Sequence, residues 1–131
     1  MSFSGDISRF AKLTKEAQDK IARTAALDLF SGTIRSTPVD TGRARGNWQT
    51  TVGAPAGTET RREDPSGAQA LNEVVANTPD GAGQEVFLSN SLPYIEQLEY
   101  GSSTQAPAGM MRINFARVQR IVAAAIAKFK V

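Results

Sequence analysis

The feature that most constrains the fold is a long helical pattern that stops at a proline. From Asp6 to about residue 35, apolar side chains recur every three or four residues, which predicts one continuous helix capped by Asp6. The helix must end near Thr37, because the residue before Pro38 is pushed out of the helical region. Its second half is apolar on more than one side, so we expect several neighbours or another subunit to cover it.

The rest of the chain predicts a small sheet and a second long helix. Helical spacing returns over about 109–130, and shorter helices are expected over about 68–77 and 93–99. Strand patterns cover about 46–53 and 84–89, and residues 53–67 form a long loop or a hairpin tip. Because two strands alone are marginal, we expect an antiparallel sheet of three or four strands packed against both long helices. Residues 1–131 are therefore predicted to be a single α+β domain.

The composition narrows the possible chemistry. The chain has no histidine and no cysteine, which excludes Ser-His-Asp triads, thiol nucleophiles and cysteine-based zinc sites. We expect no enzymatic activity, no metal and no cofactor. The net charge is only +2, and the basic residues of the C-terminal segment have no aromatic residues between them, which favours a solvated helix face over a nucleic-acid surface. These basic residues are Arg112, Arg117, Arg120, Lys128 and Lys130.

Nothing in the sequence indicates a membrane protein. There is no apolar run long enough to span a bilayer, and the first ten residues lack the basic start and apolar centre of a signal peptide. We therefore expect synthesis in the cytoplasm and no membrane partner.

Two short motifs allow a catalytic interpretation beside a structural one. Asp40-Thr41-Gly42 is the triplet of aspartic proteases, and one copy per chain would require a dimer. Its context favours an Asx-type turn, because no apolar strand leads into it. Glu96 and Glu99 could be paired carboxylates, but three residues apart on one helix they lie side by side rather than across a substrate. We expect them to face outward, as part of a docking surface.

Two segments together resemble a known family. Residues 37–43 (TPVDTGR), after a long helix, resemble the PVDTGR signature of tailed-phage neck proteins, also described as tail-completion, head–tail connector or minor tail components. The second segment resembles the family's Asn…Tyr…Glu-aromatic-Gly…Pro pattern before a C-terminal helix. It comprises Asn90, Pro93, Tyr94, residues 98–101 (LEYG) and residues 105–110 (QAPAGM).

The resemblance implies a structural role in the virion. Such proteins are similar in forming rings, with six copies favoured, between the portal or connector of the DNA-filled head and the tail terminator or tail tube. DNA would pass through the lumen without sequence-specific binding. A tail terminator that caps the tail tube is the close alternative, and a dimeric aspartic protease is the alternative of another class. The host would be a bacterium, in whose cytoplasm the chain is made.

The resemblance also gives the candidate residues their roles. The motif turn would dock the first helix on the sheet, and the long loop, loose in the free protein, would become ordered on assembly. The motif turn consists of Pro38, Asp40, Thr41, Gly42 and Arg43. The candidate interface residues are Arg61, Arg62, Glu63, Tyr94, Glu96, Glu99, Tyr100 and Gln105.

Overall fold

The computed structural model describes residues 3–81 and 83–129, with the side chain of Phe3 left out. The fold is α+β, as predicted, with two strands among the helices of these residues. Lys130, which the sequence placed in the last helix, lies outside the described residues. In chain order the elements are α1 (Phe3–Ala11), α2 (Lys15–Arg35), α3 (Arg43–Gly46), β1 (Gln49–Val52), α4 (Ala68–Asn77), β2 (Val86–Ser89), α5 (Ile95–Glu99), α6 (Met111–Phe115) and α7 (Val118–Phe129).

The N-terminal helical pattern folds as two helices, so the prediction of one helix over residues 6–35 was wrong. The chain leaves α1 after Ala11 and starts α2 at Lys15. Thr14 caps α2, because its side-chain oxygen accepts a hydrogen bond from the Ala17 amide at 3.2 Å. Asp6 is not a cap: it lies inside α1, is almost fully buried and pairs with Arg9. The break lets α1 pack separately against α7.

The C-terminal pattern is divided in the same way. The predicted helix over about 109–130 is α6 and α7, separated by residues 116–117. Asn114 is buried, and its amide donates to the Met110 carbonyl at 2.7 Å and to Ser36 Oγ at 3.2 Å. Gly32 makes room for it, since a Cβ there would lie 2.3 Å from Asn114 Oδ1. A polar contact with α2 thus fixes α6, which periodicity does not reveal.

The sheet is smaller than expected. Strands β1 and β2 pair antiparallel, with Thr50 opposite Leu88 and Thr51 opposite Phe87. A third or fourth strand is not formed in the described residues, and residues 53–67 do not add one. The start of the predicted strand over 46–53 is also different, because residues 43–46 form α3.

Two apolar clusters hold the elements together. The larger lies among α2, α4, the sheet and the residues before α6, and the smaller lies between α2 and α7. Trp48 is 3% exposed in the larger cluster. The fully buried members of the two clusters are Ile34, Trp48, Ala70, Val74, Ala106 and Met110, and Ile21, Ala125 and Ile126. Across residues 3–81 and 83–129, none of the helices has the length and apolar character that crossing a membrane requires.

Candidate functional site

The motif turn, residues 38–43, leaves the end of α2 and enters α3. Thr37, just before it, is buried and connects two elements: its hydroxyl donates to the Thr33 carbonyl at 2.8 Å and accepts from Trp48 Nε1 at 2.8 Å. Pro38 is buried, whereas Asp40, Thr41 and Arg43 are exposed. The turn therefore joins α2 to the sheet on its inner side and presents polar groups on its outer side.

Gly42 is required by both backbone conformation and space. Its φ is 89°, in the left-handed region that favours glycine, and a Cβ would lie 2.3 Å from the Pro65 nitrogen. The Gly42 carbonyl accepts hydrogen bonds from the Gly46 amide at 2.9 Å and the Asp64 amide at 3.0 Å. The buried Asp64 carboxylate in turn accepts from the Ala70 amide in α4 at 2.9 Å. The motif turn thus anchors the end of the long loop and the start of α4.

The motif turn faces the segment between β2 and α6, and a cleft of about 260 Å³ lies between them. Gln105 bridges the two segments: its amide oxygen accepts from the Val39 amide at 2.8 Å, and its amide nitrogen donates to the Val39 carbonyl at 3.1 Å. The structure therefore brings together the two segments that carry the family resemblance. The cleft is lined by Pro38, Val39, Asp40, Thr41, Arg43, Ala44, Tyr94, Leu98, Ser103 and Gln105.

Glu99 has an internal role rather than the outward one expected from the sequence. Its Oε1 accepts from the amides of Met110 at 3.0 Å and Met111 at 2.7 Å. Its Oε2 accepts from the Arg112 amide at 3.0 Å and from Arg112 Nε at 3.1 Å. A carboxylate from α5 thus caps α6 and offsets the positive end of the helix dipole.

The capping arrangement also changes the acidity of Glu99. Burial raises its pKa, but the hydrogen bonds from the Met111, Arg112 and Met110 amides and from the Arg112 side chain favour the charged form more strongly. The net effect is a pKa below the usual 4.5. Glu99 is therefore held ionised, and a role as a general acid beside Glu96 has no support from this geometry.

Two glycines allow the chain to close around Glu99. Gly109 has a φ of 84°, and a Cβ there would lie 2.3 Å from Glu99 Oε2. Gly101 has a φ of 90° and comes so close to Pro107 that a Cβ would lie 2.7 Å from its carbonyl oxygen. Residues 99–112, named the Glu99 corner below, are therefore a closed and well-connected unit.

The aromatic and acidic residues around this corner stay accessible. Tyr100 is 74% exposed, and the Arg112 guanidinium lies 5.0 Å from the centre of its ring. Tyr94 is 39% exposed at the cleft, and Glu96 is exposed on α5. These three predicted interface residues therefore lie on the surface, as the prediction requires, whereas Glu99 and Gln105 serve the fold.

Residues 58–64 of the long loop contact the sheet and its neighbours, whereas the sequence led us to expect a loop that is loose in the free protein. Arg62 donates to the Gly46 carbonyl at 2.8 Å and the Trp48 carbonyl at 3.0 Å, and it pairs with Glu73 at 3.1 Å. Arg62 is thus only partly exposed and binds within the chain, while Arg61 and Glu63 on either side of it are exposed.

Several polar residues that organise this region were missed by the sequence reasoning. Asn47 is fully buried, and its Oδ1 accepts from the Thr60 amide at 2.7 Å. Glu73 accepts from the Thr50 amide at 2.9 Å as well as from Arg62. Asn90, which the sequence named in the family pattern without a structural role, donates to the Ala44 carbonyl at 2.9 Å. No local pattern identifies such residues, because their partners lie 11 to 46 positions away.

The residues that line the cleft combine polar and apolar groups. Within residues 3–81 and 83–129, no three His, Cys, Asp or Glu residues are placed to hold a metal ion. Asp40 follows a helix and a turn rather than an apolar strand, so the strand context of an aspartic-protease triplet is missing. The cleft combines one carboxylate, one guanidinium, hydroxyl groups and a tyrosine, which suits polar contact with another protein.

Comparison with known proteins gives no relative for this chain: no family model, no curated protein and no solved structure matches it.

Proposed function

We propose that the chain is a structural subunit of a tailed-phage virion, located in the neck, where copies assemble as a ring that joins the DNA-filled head to the tail. The portal or connector would contact one side of the ring, and the tail terminator or tail tube would contact the other. Six copies are favoured by the family resemblance, and DNA would pass through the lumen without sequence-specific contacts. The subunit would perform no chemistry.

The observation that carries the proposal is the junction between the two segments of the resemblance. Gln105 pairs with both backbone groups of Val39, although 66 positions separate them. Two motifs that are weakly specific on their own are therefore parts of one structural unit. A common fold would require the two segments to meet in this way.

The polar residues of this region fall into two groups, those bonded within the chain and those left on the surface. This separation also supports an assembly role. Glu99, Arg62 and Gln105 have their polar groups engaged within the chain, so they serve the architecture. Tyr94, Glu96, Tyr100 and the charged residues Asp40 and Arg61 are left on the surface. Exposed tyrosines beside charged groups are typical of protein interfaces. The same surface fits a tail terminator, the close alternative, because that subunit also assembles as a ring.

Removal and addition of the protein test this proposal. Particles made without the chain should accumulate as separate DNA-filled heads and tails, counted by negative-stain electron microscopy. Purified wild-type protein should restore joined, infectious particles. The double variant Glu96→Gln/Tyr100→Ala should fold, as circular dichroism would show, but fail to restore joining, because it lacks surface contacts.

Val75→Ala is the matched control, since Val75 is 58% exposed on α4, away from the cleft. It should restore joining as well as the wild type does. Joined particles that form in full number without the chain would refute the neck role. Normal joining with the double variant would refute the assignment of this surface.

A further inference from the structure

The outer edge of β1 is closed by side chains. The Thr50 amide donates to Glu73 at 2.9 Å, and the Thr50 carbonyl accepts from Asn77 of the same helix, α4, at 2.9 Å. Arg62 donates to the Trp48 carbonyl at 3.0 Å, just before the strand. The Trp48 carbonyl and both backbone groups of Thr50 are therefore engaged on this edge, and the side chains that bind them block a further strand from pairing along β1.

The outer edge of β2 is open. The backbone N–H and C=O groups of successive residues point alternately to the two edges of a strand. Those of Thr50 point away from β2, so those of its partner Leu88 point away from β1. Val86, two residues earlier, points the same way. Neither residue has a further backbone hydrogen bond in the described part of the chain. Two donors and two acceptors are thus available for another strand.

An apolar groove of about 160 Å³ runs beside this open edge. Helix α2 provides one wall and α6 the other. Phe115 is 55% exposed and Met111 is 37% exposed, which are high values for large apolar side chains. The groove contains no charged residue and is lined by Leu29, Phe30, Thr33, Val86, Phe87, Leu88, Met111 and Phe115.

We infer that β2 pairs antiparallel with β2 of a second copy of this chain, which joins the two sheets into one of four strands. The groove takes an uncharged strand, and β2 is uncharged throughout (VFLS). Since side chains of α4 and Arg62 block the outer edge of β1 at Trp48 and Thr50, β2 is the strand that a second copy can offer. The pairing is isologous, because the same surface is used on both subunits.

One register of the two β2 strands pairs all the free backbone N–H and C=O groups of Val86 and Leu88. When Phe87 lies opposite Phe87 of the partner subunit, Val86 lies opposite Leu88 of the partner subunit, and each such pair exchanges two backbone hydrogen bonds. Glu85 then faces Ser89 of the partner subunit, so no two carboxylates are opposed. The two apolar grooves meet at the two-fold axis and cover each other.

The pairing does not depend on the proposed neck role. A single cyclic ring has no two-fold axis in its plane, so the pair is a state of the free protein outside such a ring. It protects an apolar edge that would otherwise be exposed to aggregation.

Disulfide trapping tests the register, and the chain is suited to it because it contains no cysteine. The two Phe87 residues would form a non-hydrogen-bonded pair with Cα atoms about 4.5 Å apart, within the range a disulfide bridges. Phe87→Cys should therefore convert to a covalent dimer on mild oxidation, whereas the surface control Val75→Cys should remain monomeric. Equal, low conversion of both variants would overturn the inference.

A second pair of variants keeps the test valid if Phe87→Cys does not fold. Glu85→Cys alters the residue just before β2 and Ser89→Cys the last residue of β2, and each alone should remain monomeric because its partner position lacks a thiol. An equimolar mixture should give the covalent heterodimer. No heterodimer in the mixture, or equal dimer in each variant alone, would contradict the antiparallel register about Phe87.

Discussion

Glu96 and Glu99 are three positions apart in the same helix, yet their hydrogen bonds and exposure to solvent differ. Glu99 accepts three backbone amides and one guanidinium nitrogen, whereas Glu96 is exposed on the outer side of α5. The sequence predicted both as outward-facing, because helical spacing describes one element at a time. The position of Glu99 depends on a chain reversal through Gly101 and Gly109, which brings in amides 11 to 13 positions later.

Replacement of Glu99 by glutamine should destabilise the fold. Each carboxylate oxygen accepts two donors, so either orientation of the amide places its NH₂ group against two N–H groups. We expect a loss of about 2 kcal/mol in the free energy of unfolding. Urea denaturation measures it, and Glu96→Gln is the control, expected to change stability by less than about 0.5 kcal/mol. Equal stability of the two variants would contradict the capping role.

The same carboxylate should make stability depend on pH. Because the pKa of Glu99 is lower in the folded protein than its ordinary 4.5, its contribution is complete above that value and is lost as the pH falls through the lower folded pKa. The difference in unfolding free energy between wild type and Glu99→Gln should therefore shrink as the pH falls below the ordinary value. Urea titrations over a pH series measure it, and a constant difference would refute the assignment.

At the scale of elements, the sequence predicted the positions of both strands, α4 and α5 but missed the two helix breaks. Apolar spacing persists across Thr14 and across residues 116–117, so periodicity alone reports a continuous helix. The breaks come from a side-chain cap at Thr14 and from the contact of buried Asn114 with α2. The prediction of a third strand was wrong for a related reason. Side chains of α4 bind the outer edge of β1, where such a strand would pair.

Arg62 should control the order of the long loop. Arg62→Ala removes two hydrogen bonds to backbone carbonyls and the ion pair with Glu73, so residues 58–64 should lose their attachment to the sheet. We expect faster amide hydrogen exchange at Thr60, which bonds Asn47, and a loss of about 2 kcal/mol in stability.

Arg61→Ala is the matched control for the loop, because Arg61 is the exposed neighbour in the same segment. It should leave both the exchange rate and the stability unchanged. Equal exchange in the two variants would mean that the loop is held by its other contacts alone.

At the scale of the whole molecule, the motif turn and the Glu99 corner connect the elements that carry the proposed interface residues. The turn fixes α2, the long loop and α4, and Gln105 joins it to the segment that leads into α6. The sequence singled out both segments through their resemblance to phage neck proteins. It could not show that Arg62, Glu99 and Gln105 bind other parts of the chain, because their partners are distant in the sequence.

The location of the chain in a particle is the most direct test of the proposed neck role. Val75→Cys introduces one exposed thiol into a cysteine-free chain, so a single gold label can be attached at a position outside the cleft. After the labelled protein restores particles made without it, electron micrographs should show gold at the junction between head and tail. Gold distributed elsewhere on joined particles, or absent from them, would contradict the proposal that this chain is a neck subunit.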